Sequence, residues 1–192
     1  MRRNFARVAA ALVLLCSAVA AEADDLPFSG SMTGVSSGGP DASCAPLPFH
    51  TMIAPGTTIG TSSLGAFTYS SDVCQGGGPV VGTFVFDFGI DSFEGTQSGT
   101  AIPSAIPGVF DLLLNYTILD GTGRFLGATG ALTGTGTADT RSPPTQIALT
   151  FTGNINAPAV PEPATWGLMI MGFGGIGMTL RRRRQRVLQQ LA

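Results

Sequence analysis

Hydrophobic and polar residues alternate with a period of two in three stretches of the chain. Between Thr83 and Ile90, the residues Phe84, Phe86, Phe88 and Ile90 fall on one side. Between Val109 and Leu119, Phe110, Leu112, Leu114, Tyr116 and Ile118 share a side, while Asp111, Asn115 and Thr117 take the other. Ile147, Leu149 and Phe151 alternate with Ala148, Thr150 and Thr152. Successive side chains of an extended strand point to opposite faces, so this pattern predicts strands buried on one face. Gly76-Gly77-Gly78-Pro79, Asp120-Gly121 and Ser142-Pro143-Pro144 supply turns. Outside the two ends no apolar repeat of helical period lasts more than two turns. The body, residues 24–156, is therefore predicted to be all-β: a small antiparallel barrel or a sandwich.

The ends follow a different logic. Residues 1–23 read as a secretory signal peptide for the Sec export machinery. Arg2, Arg3 and Arg7 precede an apolar run from Val8 to Val19, and Ala18-Val19-Ala20 and Ala21-Glu22-Ala23 offer cleavage sites. Cys16 follows Leu14 and Leu15 rather than the small residue a lipidated cysteine needs, and is expected to leave with the signal. At the other end, residues 157–163 form a small-residue linker closing on Pro161-Glu162-Pro163, whose prolines hold the chain extended. Residues 164–186 are predicted to be a transmembrane helix with an arginine stop. Trp166 suits a membrane interface. Ala164 to Leu180 is uncharged and, as a helix, is about 25 Å long, the short end of a bilayer span. Arg181, Arg182, Arg183, Arg184 and Arg186 then hold that end, and residues 187–192, in the cytoplasm, leaving the body outside.

Pro161-Glu162-Pro163-Ala164-Thr165-Trp166, the glycine-rich apolar helix and the arginine cluster, in that order, resemble the PEP-CTERM sorting tail of Gram-negative bacteria. Gly167 stands where alanine is usual in that family. The resemblance implies an exosortase-type membrane transpeptidase as partner, with Pro161, Glu162, Pro163 and Trp166 recognised rather than catalytic. It also implies passage through the inner membrane, then a place at the cell surface or outside, in association with exopolysaccharide. An ice-binding C-terminal label is also attached to such tails. An ice-binding surface would need a flat, regular threonine array, and the Thr-Gly pairs of Thr133 to Thr137 lack a strict repeat.

Composition sharpens the picture of the body. Only 11% of the 192 residues are charged, against about 25% in a typical soluble domain. There is no lysine, and between residues 24 and 160 two arginines face ten acids, a formal charge of −8. So acidic a body excludes nucleic acid as a partner, because phosphate binding needs clustered Lys and Arg. With 27 glycines, strands and turns are favoured over long helices.

Cys44 and Cys74 are the only cysteines left after signal removal, and an oxidising compartment predicts a disulfide between them. Gly34-Val35-Ser36-Ser37-Gly38 fits a nucleophile-elbow pattern, but the surroundings read as a Gly/Ser-rich loop and the single histidine, His50, lies 14 residues on. The match reads as coincidence. His50 lacks a second histidine or free cysteine for zinc. Asp87, Asp91 and Glu94 lack the spacing of a calcium loop and read as solvated strand-end carboxylates. Gly172-x-Gly174-x-x-Gly177 follows no strand, which excludes dinucleotide binding and suits close helix packing. Asn115-Tyr116-Thr117 is a formal glycosylation sequon inside a predicted strand. No metal, cofactor or catalytic residue is assigned.

The segment Asp120-Gly121-Thr122-Gly123-Arg124-Phe125-Leu126-Gly127-Ala128-Thr129-Gly130 is similar to segments of small secreted β-barrels resembling dirigent and allene oxide cyclase proteins. The resemblance favours the barrel. The motif reads as a tight turn entering a strand, with Arg124 pairing a body carboxylate. The leading expectation is a non-enzymatic surface or matrix protein whose β body is structural or binds a partner. The rival is a secreted ligand-binding barrel or enzyme, with a deep apolar cavity lined by polar groups such as Arg124, Tyr69, Tyr116 or His50.

Overall fold

The computed structural model describes residues 23–158, together with 167, 169–177 and 181. Residues 1–22 of the expected signal peptide, Pro161, Glu162, Pro163, Trp166, Arg182, Arg183, Arg184 and residues 187–192 lie outside the described residues. Residues 169–177 are helical and exposed, as is Arg181. Among the described residues no helix is long and apolar enough to cross a membrane.

Nine strands follow one another: β1 (Ala23–Pro40), β2 (Phe49–Ile53), β3 (Thr58–Ser62), β4 (Gly65–Gln75), β5 (Pro79–Asp87), β6 (Ser92–Pro103), β7 (Val109–Thr122), β8 (Thr129–Asp139) and β9 (Thr145–Pro158). They close into an antiparallel barrel with eight strand positions. The count differs by one because β2 and β3 lie end to end in a single position. β1 pairs with both, through Ser37↔Met52 and Gly34↔Thr58. β4 does the same through Ser71↔Ile53 and Phe67↔Gly60. The strand is broken between them by a turn in which Thr57 N–H donates to Ala54 O at 3.2 Å. The ring shuts where β1 meets β9, in register from Ala23↔Pro158 to Ser36↔Thr145. Closure leaves no unpaired sheet edge. The barrel thus contains its own core, edge protection and disulfide in one compact unit, which is what a domain needs to fold alone.

The barrel boundaries lie slightly outside the expected 24–156. β1 starts at Ala23, and β9 continues to Pro158 because its inward phase runs on through Ile155 and Ala157, both buried. Ala157 closes the last strand instead of opening the linker. Two other expectations change. β5 ends at Asp87, so Ile90 does not share the inner face of Phe84 and Phe86; it sits in the following turn, 91% exposed. Asp120-Gly121 is not the turn after β7 but part of that strand. The register steps from Gly95↔Ile118 to Glu94↔Asp120, leaving Leu119 as an extra bulged residue. A bulge resets the alternation, which turns Gly121 inward and sends Leu119 out to solvent.

An eight-stranded barrel has an interior just wide enough to be filled by side chains or to hold one small ligand. Here the two halves differ. One is packed with rings: Phe86 stacks on Phe93 at 4.8 Å and meets Phe151 edge-on at 4.9 Å. Small residues make room for them. A side chain at Gly60 would collide with the Phe67 ring, and one at Gly134 would come within 2.8 Å of Tyr116.

The Gly-Thr-Gly-Arg-Phe segment closes this filled end. A short 3-10 turn, Gly123–Phe125, folds back so that Phe125 is fully buried. Gly123 has φ +59°, and a side chain there would strike the Asp91 carboxylate. Arg124 pairs with Asp91 at 3.3 Å, as expected for a body carboxylate. It also donates to Leu64 O at 2.8 Å and covers the Phe125 ring at 4.7 Å. Asp120 Oδ1 accepts from Gly121 N–H at 2.7 Å and Gly127 N–H at 3.1 Å, fixing both ends of the turn.

Cys44 and Cys74 are joined as expected. Cys44 lies in a second 3-10 turn, Ala42–Cys44, so the bond ties the β1–β2 connection to β4.

Candidate functional site

The other half of the barrel is hollow. Its inward positions carry few large rings, and small residues take the place of others. β1 presents Ser36 and Gly38, β6 presents Ala101, and β8 presents Ala138. The result is an open cavity of about 600 Å³, within the range of about 300–1,000 Å³ typical of small-molecule sites. Ile53, Val73, Val80, Leu112, Ile147 and Leu149 form apolar walls, and Phe49, Phe110, Pro79 and Pro103 also line the cavity. Strand alternation explains the walls: Ile53, Val73, Val80, Leu112, Ile147 and Leu149 each stand in the inward phase of their strand.

Tyr69, Ser71 and Gln97 line the cavity where it meets the packed half. Tyr69 O–H donates to Gln97 Oε1 at 2.7 Å and lies 3.5 Å from the Tyr116 hydroxyl. Gln97 Nε2 donates to Thr83 O at 3.5 Å, which leaves its second N–H uncommitted. Ser36, only 4% exposed, has no hydrogen-bond partner for its hydroxyl among the described residues and lines the same cavity.

Burial pushes the Tyr69 hydroxyl up to about 12, an effect only partly offset by hydrogen bonds involving Tyr116, Ser71 and Gln97. Burial also raises Tyr116 well above the usual tyrosine range, and the neighbouring Tyr69 adds to it. Both phenols are neutral donors at ordinary pH. The unfolded chain ionises near about pH 10 while folded Tyr69 holds its proton to about 12, so this contribution is complete below pH 10 and is lost between the two values. Tyr69 alone accounts for about 2–3 kcal/mol of that loss. Because the chain has two tyrosines, a phenolate absorbance titration reads these groups alone. It should show no ionisation near pH 10 in the folded barrel and a steep, unfolding-linked rise above it. A normal titration near pH 10 with the fold intact would contradict the buried cluster.

Of the four residues expected to line such a cavity, only Tyr69 does so, with Tyr116 directly against it. Arg124 is at the filled end. His50 is on the outer face, where its Nε2 lies 2.8 Å from Asp72 Oδ1. The reason is phase: Thr51 and Ile53 point inward, so His50 and Met52 point outward. Gly34-Val35-Ser36-Ser37-Gly38 is not a loop but the interior of β1, and no α-helix follows it, so it forms no nucleophile elbow. Asp87 accepts from Gly89 N–H at 2.7 Å and Asp91 holds Arg124, so the acidic run is divided between turns. Among the described residues no three His, Cys, Asp or Glu side chains gather to hold a metal ion. Sequence reasoning missed Ser36, Ser71 and Gln97. The available clue was Gln97 in phase with Phe93 and Ala101, an amide on what becomes the inner face of β6.

The outer wall carries a second pattern. Thr133, Thr135 and Thr137 are exposed at alternate positions of β8. Their neighbours on β9 are Thr152, Thr150 and Ala148, and beyond them on β1 stand Ser29, Ser31 and Thr33. The Thr-Gly pairs thus become a hydroxyl-bearing, uncharged patch on a twisted wall.

The PEP-CTERM protein-sorting motif matches residues 159–184, and the chain carries that motif immediately after its barrel. The motif implies export, membrane-associated sorting, and delivery to the surface or outside by exosortase-type processing. No curated protein and no solved structure matches the chain.

Proposed function

We propose that this chain is an exported, non-enzymatic binding protein whose barrel carries a small, mainly apolar molecule. The observation behind this reading is the hollow half of the barrel: an apolar cavity with a few hydrogen-bonding groups beside the packed half. Neutral phenols and a histidine on the outer face supply no nucleophile–base pair inside it, which favours binding over catalysis. Pro161, Glu162, Pro163 and Trp166 are read as the processing signal. Arg181, Arg182, Arg183 and Arg184 hold the chain transiently at the inner membrane after Sec export. The hydroxyl patch of β1, β8 and β9 supports a second role, hydrogen bonding to exopolysaccharide where the protein is displayed.

Two measurements test this. In the isolated barrel, ring-labelled tyrosine gives two NMR signals, from Tyr69 and Tyr116. Titration with an apolar fluorophore-free ligand such as decanol should move the Tyr69 signal saturably, and Leu149→Trp, which fills the cavity, should abolish the shift. Unchanged signals at saturation would sink the cavity reading. Separately, mass spectrometry of the mature surface protein should find a C-terminus near Pro161-Glu162-Pro163. A mature chain still ending at Ala192 would sink the processing step.

A further inference from the structure

The cavity lining is specific about charge, which deepens the binding reading and rests on it. None of the residues lining the cavity is acidic, basic or a histidine. A carboxylate or ammonium carried inside would lose its hydration and meet no counter-charge, a penalty of many-fold in affinity. The body's formal charge of −8 adds a field that disfavours anions at the mouth.

The cavity is nevertheless not purely apolar. Ser36 and Gln97 are more than nine-tenths buried and keep hydrogen-bonding capacity in hand: the Ser36 hydroxyl and one Gln97 N–H. Ser71, 8% exposed, stands beside Tyr69 on the same lining. β1 and β6 stand four positions apart round the eight-position ring, so Ser36 and Gln97 approach the hollow from opposite walls. An alkane would leave these groups without partners, and a charged lipid would bring a charge they cannot neutralise. A single neutral polar group matches both conditions.

We infer that the cavity selects an uncharged amphiphile, a long-chain or terpenoid alcohol or ketone, bound with its polar group inward against Ser36, Ser71 and Gln97 and its hydrocarbon along the Leu149 and Ile147 wall. The corresponding carboxylate and ammonium are excluded.

The test is a matched series of decanol, decanoate, decylammonium and decane, titrated into the isolated barrel at neutral pH by calorimetry. Decanol should bind at least about a hundredfold more tightly than decanoate or decylammonium. Below about pH 4, where the acid is neutral, decanoic acid should recover most of that difference. Decanol should also bind about tenfold more tightly than decane, the worth of one buried hydrogen bond. The double variant Ser36→Ala/Ser71→Ala, which removes two of the three polar groups without creating a cavity of consequence, should cut the advantage of decanol over decane severalfold, the remainder resting on the Gln97 N–H. Decanoate binding as tightly as decanol would overturn the charge selection, and decane matching decanol would overturn the inward polar group; either result leaves the cavity as a ligand site. Failure of all four to bind a folded barrel would overturn the binding reading together with this one.

Discussion

Replacing Phe86 with alanine is expected to cost the barrel about 3–5 kcal/mol, the usual range for truncating a fully buried phenylalanine. Phe86 is 0% exposed and stands at the centre of the packed half. Its ring meets those of Phe28 at 5.5 Å, Tyr69 at 5.1 Å, Phe93 at 4.8 Å and Phe151 at 4.9 Å. Removing it opens a void among rings that are fixed to four different strands and cannot collapse together to refill it. Ile90→Ala is the natural comparison, since alternation put both residues on one face. Ile90 is 91% exposed, so its loss should fall within about 0.5 kcal/mol. Urea unfolding of the isolated barrel checks both, with the midpoint shifting for Phe86→Ala and the slope preserved. A loss below about 1 kcal/mol at Phe86 would mean that the aromatic half is not the stability centre.

Breaking the Cys44–Cys74 bond is expected to cost about 2–4 kcal/mol. The two cysteines are 30 residues apart, and the bond closes a loop that includes all of β2 and β3, the one barrel position built from two short pieces. That position has the least continuous pairing in the ring, so its tether restricts the unfolded chain most where the folded chain is most interrupted. The variant Cys44→Ser/Cys74→Ser and the reduced wild type should unfold at the same denaturant concentration, both well below the oxidised protein. Coincidence of reduced and oxidised curves would remove the disulfide from the stability account. The dependence also fits a protein that completes folding after export, where disulfides persist.

Alternation in β5, β7 and β9 was legible because large apolar residues contrast with Asp, Asn and Thr on the other face. β1, β3, β6 and β8 gave no such contrast. Their inner positions include Gly34, Gly60, Gly95 and Gly136, whose missing side chains leave no hydrophobic mark, and most of their outer positions are Ser and Thr. In a narrow barrel those glycines are required on the inside, because neighbouring rings and strand backbones already occupy the space. Composition therefore resembled loop in the very segments that complete the ring. Tyr69 was legible as a candidate cavity group because a buried phenol needs a partner. His50 and Arg124 were misplaced because a residue type shows its chemistry but not its phase or its end of the barrel.

The sequence by itself determined the address and the class of body. A sorting motif is read by its partners as a linear string, and period-two burial is a local property of strands, so neither needs a tertiary structure to be visible. The Cys44–Cys74 pairing was equally legible, by elimination, on the expectation that Cys16 belongs to a signal peptide. Tertiary structure alone decided that two short strands share one position, that the rings collect in one half, and that the other half is hollow and uncharged. Those facts depend on which inward residues from strands distant in sequence reach the same level of the ring. That level is set by pairing register and by the bulge at Leu119, which no single segment specifies.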